Sequence, residues 1–405
     1  MTIDEQIQTP LIGLPTLMRM ALQGIDLAPL GIKLHEYATE HPQAANALLD
    51  LSVLLQLKQN REIAMLLQAE ALNLQQVYHL PFKGEQVGLR LLALMGPGDL
   101  MSNTPVEVLV EDTDVSLTLL YVSPDLPFPA ELPEHDVAFV AIAESDQNIP
   151  LLEFVGALVR QWPRPVLNAP KKIQALSRDS VYAMLHDVSG LMMPDTARIG
   201  RHVLVQLADA TLDLHAVIAD GKFPVIVRPV DSHAGKGLMK LDSVADIAVY
   251  LHERTEDEFY ISRFVDYSGA DGLFRKYRIV LIAGRPYVCH MALSRHWMVH
   301  YLNAEMTDKA ENREEEARFM ADFDMAFAVR HAAAFRAIHE RAGLDYLGID
   351  CGETAAGELL IFEIDSNMIV HAMDPVDIFP YKQPQMRKVF SAFREMLVNV
   401  VNRQG

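Results

Sequence analysis

The spacing of apolar positions changes several times along the chain, and each change predicts a different kind of element. From about residue 42 to 80 they recur at three and four: Ala47, Leu48, Leu51, Leu54 and Leu55, then Ala64, Leu67, Ala71 and Leu74. That spacing puts them on one face of each of two helices, with 58–61 as the polar turn between. Near residue 88 the pattern shortens to compact apolar runs. Leu89–Met95 is ended by Gly96, Pro97 and Gly98, 105–111 reads as a helix, and strand candidates follow at 116–122 and 137–143. A helix at 151–161 and a short strand at 165–167 complete the alternation. Strands alternating with helices predict a parallel sheet covered on both faces, with a ligand edge at the carboxyl ends of its strands. The loop 96–105, which gathers Asp99, Ser102, Asn103 and Thr104, falls on that edge as a candidate substrate contact; an ordinary connector is the plainer reading.

Beyond residue 168 the spacing is less regular. Residues 177–185 look helical, Pro194 and Thr196 begin an extended segment, and 204–218 again has helical spacing. From Phe223 strands dominate until a final helix beginning near Gln385. The fold class is therefore α/β in the middle and α+β towards the end, behind a helical N-terminal segment.

Composition narrows the function. The 405 residues suit two or three domains, and 54 acidic against 35 basic side chains leave a net charge of −19, which disfavours nonspecific nucleic-acid binding. Two cysteines, Cys289 and Cys351, are too few for a disulfide framework or a paired-cysteine metal site, and they read as buried small hydrophobes in a reducing compartment. The N-terminus MTIDEQIQTP lacks a basic and an apolar signal region, and no apolar run approaches the roughly 20 residues of a spanning helix. A cytoplasmic, soluble protein with no membrane partner is expected.

Two segments carry chemistry. In PVIVRPVDSHAGKG, from Pro224, a strand delivers Arg228 to a turn at 231–237 containing Ser232, His233, Gly235, Lys236 and Gly237. Small residues let backbone N–H groups approach phosphate oxygens, and Lys236 adds a point charge; a Walker A loop is absent, and a plain hairpin turn is the alternative. In LGIDCGETAAGELLIFEIDSN, Asp350 ends one strand and Glu363 and Asp365 lie two apart on the returning one, hence on the same face. Three converging carboxylates call for a cation, and oxygen-only ligands suit Mg²⁺. Leu360, Phe362 and Ile364 beside them argue against a solvated acidic face.

Together these motifs, with Arg278 in RKYRIVLIAGRPY, resemble the ATP-grasp superfamily of carboxylate–amine ligases, such as RimK and glutathione synthetase. The resemblance covers roughly 169–405; 86–168 looks like the Rossmann-like domain that precedes it, and 1–85 is helical, with one hairpin similar to a tetratricopeptide unit. It implies ATP held between two α+β subdomains, a carboxylate converted to an acylphosphate, and attack by an amine or thiol. Residue by residue, it implies that Arg228 stands in the place of a phosphate-binding Lys. Ser232, His233, Gly235, Lys236 and Gly237 match the phosphate loop, and Arg263, Phe264 and Val265 the adenine hinge. Arg278 matches the Arg that neutralises phosphate or carboxylate. Asp350, Glu363 and Asp365 match the Mg²⁺ ligands, with Asp365 where Asn is more usual. The chain departs from the pattern at Ser180, where a second Lys is common, and at Arg263, where an acidic residue is usual.

The expected function is an ATP- and Mg²⁺-dependent ligase joining a carboxylate to an amine on a small molecule or peptide, with a protein partner recruited by the N-terminal helices. Alternatives are a nucleotide-binding regulatory or scaffold protein without turnover, and a kinase-like phosphotransferase. The acidic total favours a neutral or cationic acceptor, since an anionic one would need local Arg275, Lys276, Arg278 and Arg295. Weaker candidates are Arg295, His296, Asn303, Asn367 and His371; His290 and His300 read as recognition or packing residues. The run 311–318 reads as a solvated helix face.

Overall fold

A computed structural model describes residues 10–82, 84–232, 235–301 and 304–403. His233 and Asn303 lie outside the described residues. The chain forms two compact units, Met1–Gln174 with Leu344–Leu347 and Asp365–Gly405, and Ala175–Gly343 with Gly348–Ile364.

In the first unit, helices α1 (Leu14–Leu22), α2 (Ala28–Glu40), α3 (Ala45–Leu57) and α4 (Arg61–Leu74) precede the sheet. The expected apolar face of α3 is buried: Ala47, Leu51 and Leu54 pack with Leu27, Leu34 and Ala44. On the same helix the buried Asp50 accepts the N–H groups of Ile12 at 2.7 Å and Gly13 at 2.9 Å, two donors ahead of α1. The helical spacing was expected to run to 80, but α4 stops at Leu74 and 77–79 is a strand. Val77 and Tyr78 suit a pleated surface, and pairing with a neighbouring strand overrides the helical pattern there.

The sheet contains β1 (Val77–His79), β2 (Leu89–Met95), β3 (Val115–Tyr121), β4 (Val137–Val140) and β5 (Val166–Leu167), in the order β1-β3-β2-β4-β5. Apart from antiparallel β1, all pairings are parallel. Every residue of β4 is buried, and so is every residue of β2 except Arg90, as expected for strands covered on both faces. The short α5 (Val106–Leu109), α6 (Ile149–Val159) and α7 (Pro170–Ile173) complete the alternation.

The second unit opens with α8 (Arg178–Leu185), β6 (Leu191–Met192), β7 (Thr196–Gly200) and α9 (Arg201–Ala208). The helix expected over 204–218 ends at Ala208, since Ala210 turns into the left-handed region at φ 55° and Leu214–Ala216 is a separate 3₁₀ turn. Next come β8 (Val225–Pro229), β9 (Met239–Leu241), α10 (Val244–Glu253) and β10 (Glu258–Arg263). Strands β7, β10, β8 and β9 form an antiparallel sheet in that order, whose buried face joins Val225, Val227, Phe259 and Ile261 to Leu204, Leu207, Ile247 and Tyr250 of α9 and α10.

A second sheet in this unit has the order β12-β11-β13-β14-β6. It is built from β11 (Phe274–Ile282), β12 (Arg285–Ser294), β13 (Tyr346–Glu353) and β14 (Leu359–Asp365). Between β12 and β13 lie α11 (Ala310–Asp322), α12 (Phe327–Arg330) and α13 (Ala332–Ala342), so strands do not dominate after Phe223 as expected. Helix α11 contains the run read as a solvated face, but Glu316 is buried: its Oε1 accepts the Met291 N–H at 3.0 Å and its Oε2 the Tyr301 hydroxyl at 3.3 Å.

The chain ends in α14 (Lys382–Asn402), which belongs to the first unit. There Phe393 packs edge-on against Phe139 at 5.6 Å and Tyr346 at 5.5 Å. Both cysteines are buried and unbridged. Among the described residues no helix is long and apolar enough to cross a membrane.

Candidate active site

In the second unit two cations meet the carboxylate of Asp350, which is 2% exposed on β13. Its Oδ1 accepts from Arg278 Nε at 2.8 Å; its Oδ2 accepts from Arg278 Nη2 at 2.9 Å and lies 2.5 Å from Lys276 Nζ. Lys276 and Arg278 are two apart on β11, so the strand's period of two puts both on one face of the sheet, where both reach Asp350 of the neighbouring β13. Beside Arg278 the pairing of β11 with β12 shifts register, from Arg278 opposite His290 to Ile279 opposite Val288, a bulge of the kind that re-aims side chains at functional sites. Burial alone would push the Asp350 carboxyl up. The Arg278 and Lys276 charges outweigh it and hold the group far below the usual carboxylate range.

On the neighbouring β14, Glu363 pairs with Arg178 from the first turn of α8, and Arg178 Nη1 also donates to the Phe362 carbonyl at 2.9 Å. Burial again opposes the charge on Glu363, while Arg178 and then Arg228 favour it and leave the carboxyl lowered. His300 also feels this cluster: burial first, then Lys276 and Arg278, lower its affinity for a proton, against the pull of Asp350.

Arg228 lies near the end of β8, 9% exposed, and reaches into the glycine turn. Its Nε donates to Ser232 Oγ at 3.1 Å and its Nη2 to the Ser232 carbonyl, while Ser232 Oγ donates to the Pro229 carbonyl at 2.7 Å. Burial, and after it the charge of Arg178, pushes the guanidinium down to about 10, still cationic at neutral pH. Gly235 and Gly237 take φ of 75° and 70°, and the Gly237 carbonyl accepts the Tyr250 hydroxyl at 2.8 Å. The strand, turn and glycines thus fall as the sequence suggested, with Lys236 between the two glycines.

The hinge segment is partly committed to the fold. Arg263 pairs with Asp220, its N–H donates to the Asp195 carbonyl at 3.3 Å, and the Phe264 N–H donates to the Pro224 carbonyl at 3.0 Å. The Phe264 ring meets Trp297 edge-on at 5.7 Å, with Lys240 Nζ 4.9 Å from its centroid; Val265, next in the chain, is half-buried. Arg275 belongs elsewhere, paired with Asp271 and Glu315. Arg295 and His296 are exposed.

In the first unit, the loop 96–105 is held at many points. Asn103 exchanges hydrogen bonds with both backbone groups of Gly96, Gln68 does the same with Gly98, and the Leu100 N–H donates to Gln56 Oε1. Arg61 pairs with Asp99, Thr104 Oγ1 donates to the Ser366 carbonyl, and Asn367 Nδ2 donates to the Met101 carbonyl. The helical hairpin α3–α4 therefore directs three polar side chains at the candidate substrate loop. His371 lies farther along, its Nδ1 accepting the Met373 N–H at 3.2 Å.

Asp350, Glu363 and Asp365 fit Mg²⁺ in kind, because all their donor atoms are oxygen. In the fold Asp350 meets Arg278 and Lys276, Glu363 meets Arg178, and Asp365 Oδ1 accepts the Asn367 N–H at 3.1 Å. Among the described residues no three His, Cys, Asp or Glu side chains gather as a metal site. Sequence reasoning missed Arg178, which lies 185 positions from Glu363, and the pairing of Lys276 with Asp350. The spacing of Lys276 two residues before Arg278 was a usable signal; nothing local marked Arg178.

No family model matches the sequence, and no curated protein is similar to it in sequence. Among solved structures, the chain is similar to a RimK domain ATP-grasp protein of Sphaerobacter thermophilus, at 16% identity over 77% of this chain and 99% of that one, with a TM-score of 0.44. It is similar to the VanG D-Ala:D-Ser ligase of Enterococcus faecalis, at 13% identity, 77% and 99% coverage and a TM-score of 0.46. A third likeness is to a D-alanine–D-alanine ligase of Bacillus anthracis complexed with ATP, at 11% identity, 78% and 100% coverage and a TM-score of 0.45.

Proposed function

We propose that the chain is an ATP-dependent carboxylate–amine ligase of the ATP-grasp kind, acting on a small molecule or peptide. The observation that carries this reading is the charge arrangement of the second unit: four basic side chains, Arg178, Arg228, Lys276 and Arg278, gather about the carboxylates Asp350 and Glu363. Such a gathering of half-buried and buried positive charge suits a polyanion, and phosphoryl transfer asks a protein mainly for position and countercharge.

In this reading Arg228 and the turn with Ser232, His233, Gly235, Lys236 and Gly237 hold the phosphates, and Arg263, Phe264 and Val265 border the adenine. Asp350, Glu363 and Asp365 would hold Mg²⁺, which supplies further countercharge to the phosphates when bound. Arg278 lies against the reacting groups. A carboxylate oxygen of the substrate attacks the γ-phosphorus, the bond to the bridging oxygen breaks, and ADP leaves. The amine nitrogen then attacks the acyl carbon, the C–O bond to phosphate breaks, and the amine gives up a proton as the amide forms.

Hydroxylamine tests this without knowledge of the acceptor. With ATP, Mg²⁺, hydroxylamine and a panel of carboxylic acids, the reading expects hydroxamate in step with ADP. ADP with a phosphorylated hydroxyl product and no hydroxamate would favour a kinase-like transfer, and ATP binding without ADP release would favour a regulatory protein.

A further inference from the structure

Asp350 is held by two unlike cations. Arg278 meets it as a planar fork with two hydrogen bonds, at 2.8 and 2.9 Å, and Lys276 as a single ammonium 2.5 Å from Oδ2. Both carboxylate oxygens are therefore engaged in a group that is 2% exposed. A divalent ion approaching Asp350 has to remove one of these partners. Arg278 is fixed by its two-point geometry; Lys276 is a point charge on a flexible stem, with three donors that can turn elsewhere.

Displaced by a metal ion alone, the Lys276 ammonium would be left in a half-buried position between Arg278 and the incoming cation, and removing the partner of a buried charge is costly. Displaced while phosphate oxygens are present, it gains a new anionic partner. The surrounding charge points the same way, since Arg178 and Arg228 also face the site and Glu363 is already paired.

We propose that Lys276 is the gatekeeper of the metal position: it occupies Asp350 in the free protein and moves to a phosphate when polyphosphate binds, so that polyphosphate binds first and the divalent ion follows. This rests on the nucleotide reading of the site and adds an order and a residue to it. Because coupling is reciprocal, polyphosphate raises metal affinity by the same factor as metal raises polyphosphate affinity.

The test is calorimetric titration of the full chain with tripolyphosphate in the presence of EDTA, and separately with Mn²⁺ alone. Wild type is expected to bind tripolyphosphate without metal and to bind Mn²⁺ alone only weakly. Lys276→Met should change the two affinities in opposite directions, weakening metal-free tripolyphosphate about tenfold and tightening Mn²⁺ about tenfold, the scale of one charge-assisted contact. Lys276→Gln should do the same and serves if the Met variant does not fold. A merely structural role would weaken both ligands; that result, or an unchanged Mn²⁺ affinity, overturns the proposal. If wild type binds ATP with Mg²⁺ and yet shows no tripolyphosphate binding in EDTA, this inference fails and the nucleotide reading stands. If neither ligand binds, the nucleotide reading itself fails.

Discussion

Gln68 and Gly98 hold each other by two hydrogen bonds, the Gln68 amide nitrogen donating to the Gly98 carbonyl at 2.8 Å and the Gly98 N–H donating to Gln68 Oε1 at 2.8 Å. A buried side chain of the helical hairpin thus replaces the neighbouring strand that a sheet-edge loop lacks. Gly98 takes a φ of 147°, and a Cβ there would meet Ser102 Oγ at 2.2 Å, so the position disfavours any residue with a side chain. Gln68→Ala leaves two backbone groups without partners and is expected to lower stability by about 2 kcal/mol. Denaturant unfolding measures the loss, and amide exchange at Gly98 and Leu100 should accelerate while exchange in β2 keeps its relation to global stability.

The glycine turn of the second unit gives a prediction with its own control. Gly237 has a φ of 70°, and a Cβ on it would lie 2.7 Å from Pro229 Cδ; Gly357 has a φ of 80° with nothing within 4 Å. Both Ala variants incur the left-handed backbone cost of about 1–2 kcal/mol, but only Gly237→Ala must also move the turn. Gly237→Ala should therefore be the less stable of the two in denaturant titration and should lose ATP affinity, while Gly357→Ala keeps it.

Stability should fall with rising pH through two buried carboxyls of the first unit. Burial pushes Asp50 up to about 6, against the pull of the Ile12 and Gly13 N–H groups, and pushes Glu107 up to about 7. A folded-state value above the unfolded one means that the proton is held more tightly by the native chain. The associated stability is complete below about pH 4 and is lost as pH rises through 6 and 7. Among the described residues Glu107 Oε2 has no hydrogen-bond partner, so Glu107→Gln removes the titration with little loss of contact. The variant should match wild type near pH 4 and exceed it by up to about 3 kcal/mol at pH 8. Unfolding midpoints across that range check the sign: a variant advantage that grows as pH falls contradicts it.

Much of the fold was legible because its signals are local. The apolar runs of β2 and β4 are continuous because both faces are covered, and the separation of Glu363 and Asp365 fixes their common face. The elements that were misread depend on distant partners. Strand β1 lies inside a helical pattern and exists because it pairs with β3; Glu316 sits in a charged run yet is buried where Met291 and Tyr301 meet it. In the candidate site, the glycine turn and Asp350 could be found from spacing, whereas Arg178 could not, because it is brought to Glu363 by packing alone.

Calorimetric titration of ATP with Mg²⁺ into the full chain, with wild type beside Arg228→Gln, tests the central claim most directly. Arg228 hydrogen-bonds Ser232 of the glycine turn and, among the described residues, forms no ion pair with a carboxylate, so its loss should spare the fold, as circular dichroism would confirm. The account predicts a single saturable site in wild type and an affinity at least about tenfold weaker in the variant. Wild-type protein that shows no saturable ATP binding, or a folded variant that binds as tightly as wild type, would contradict it.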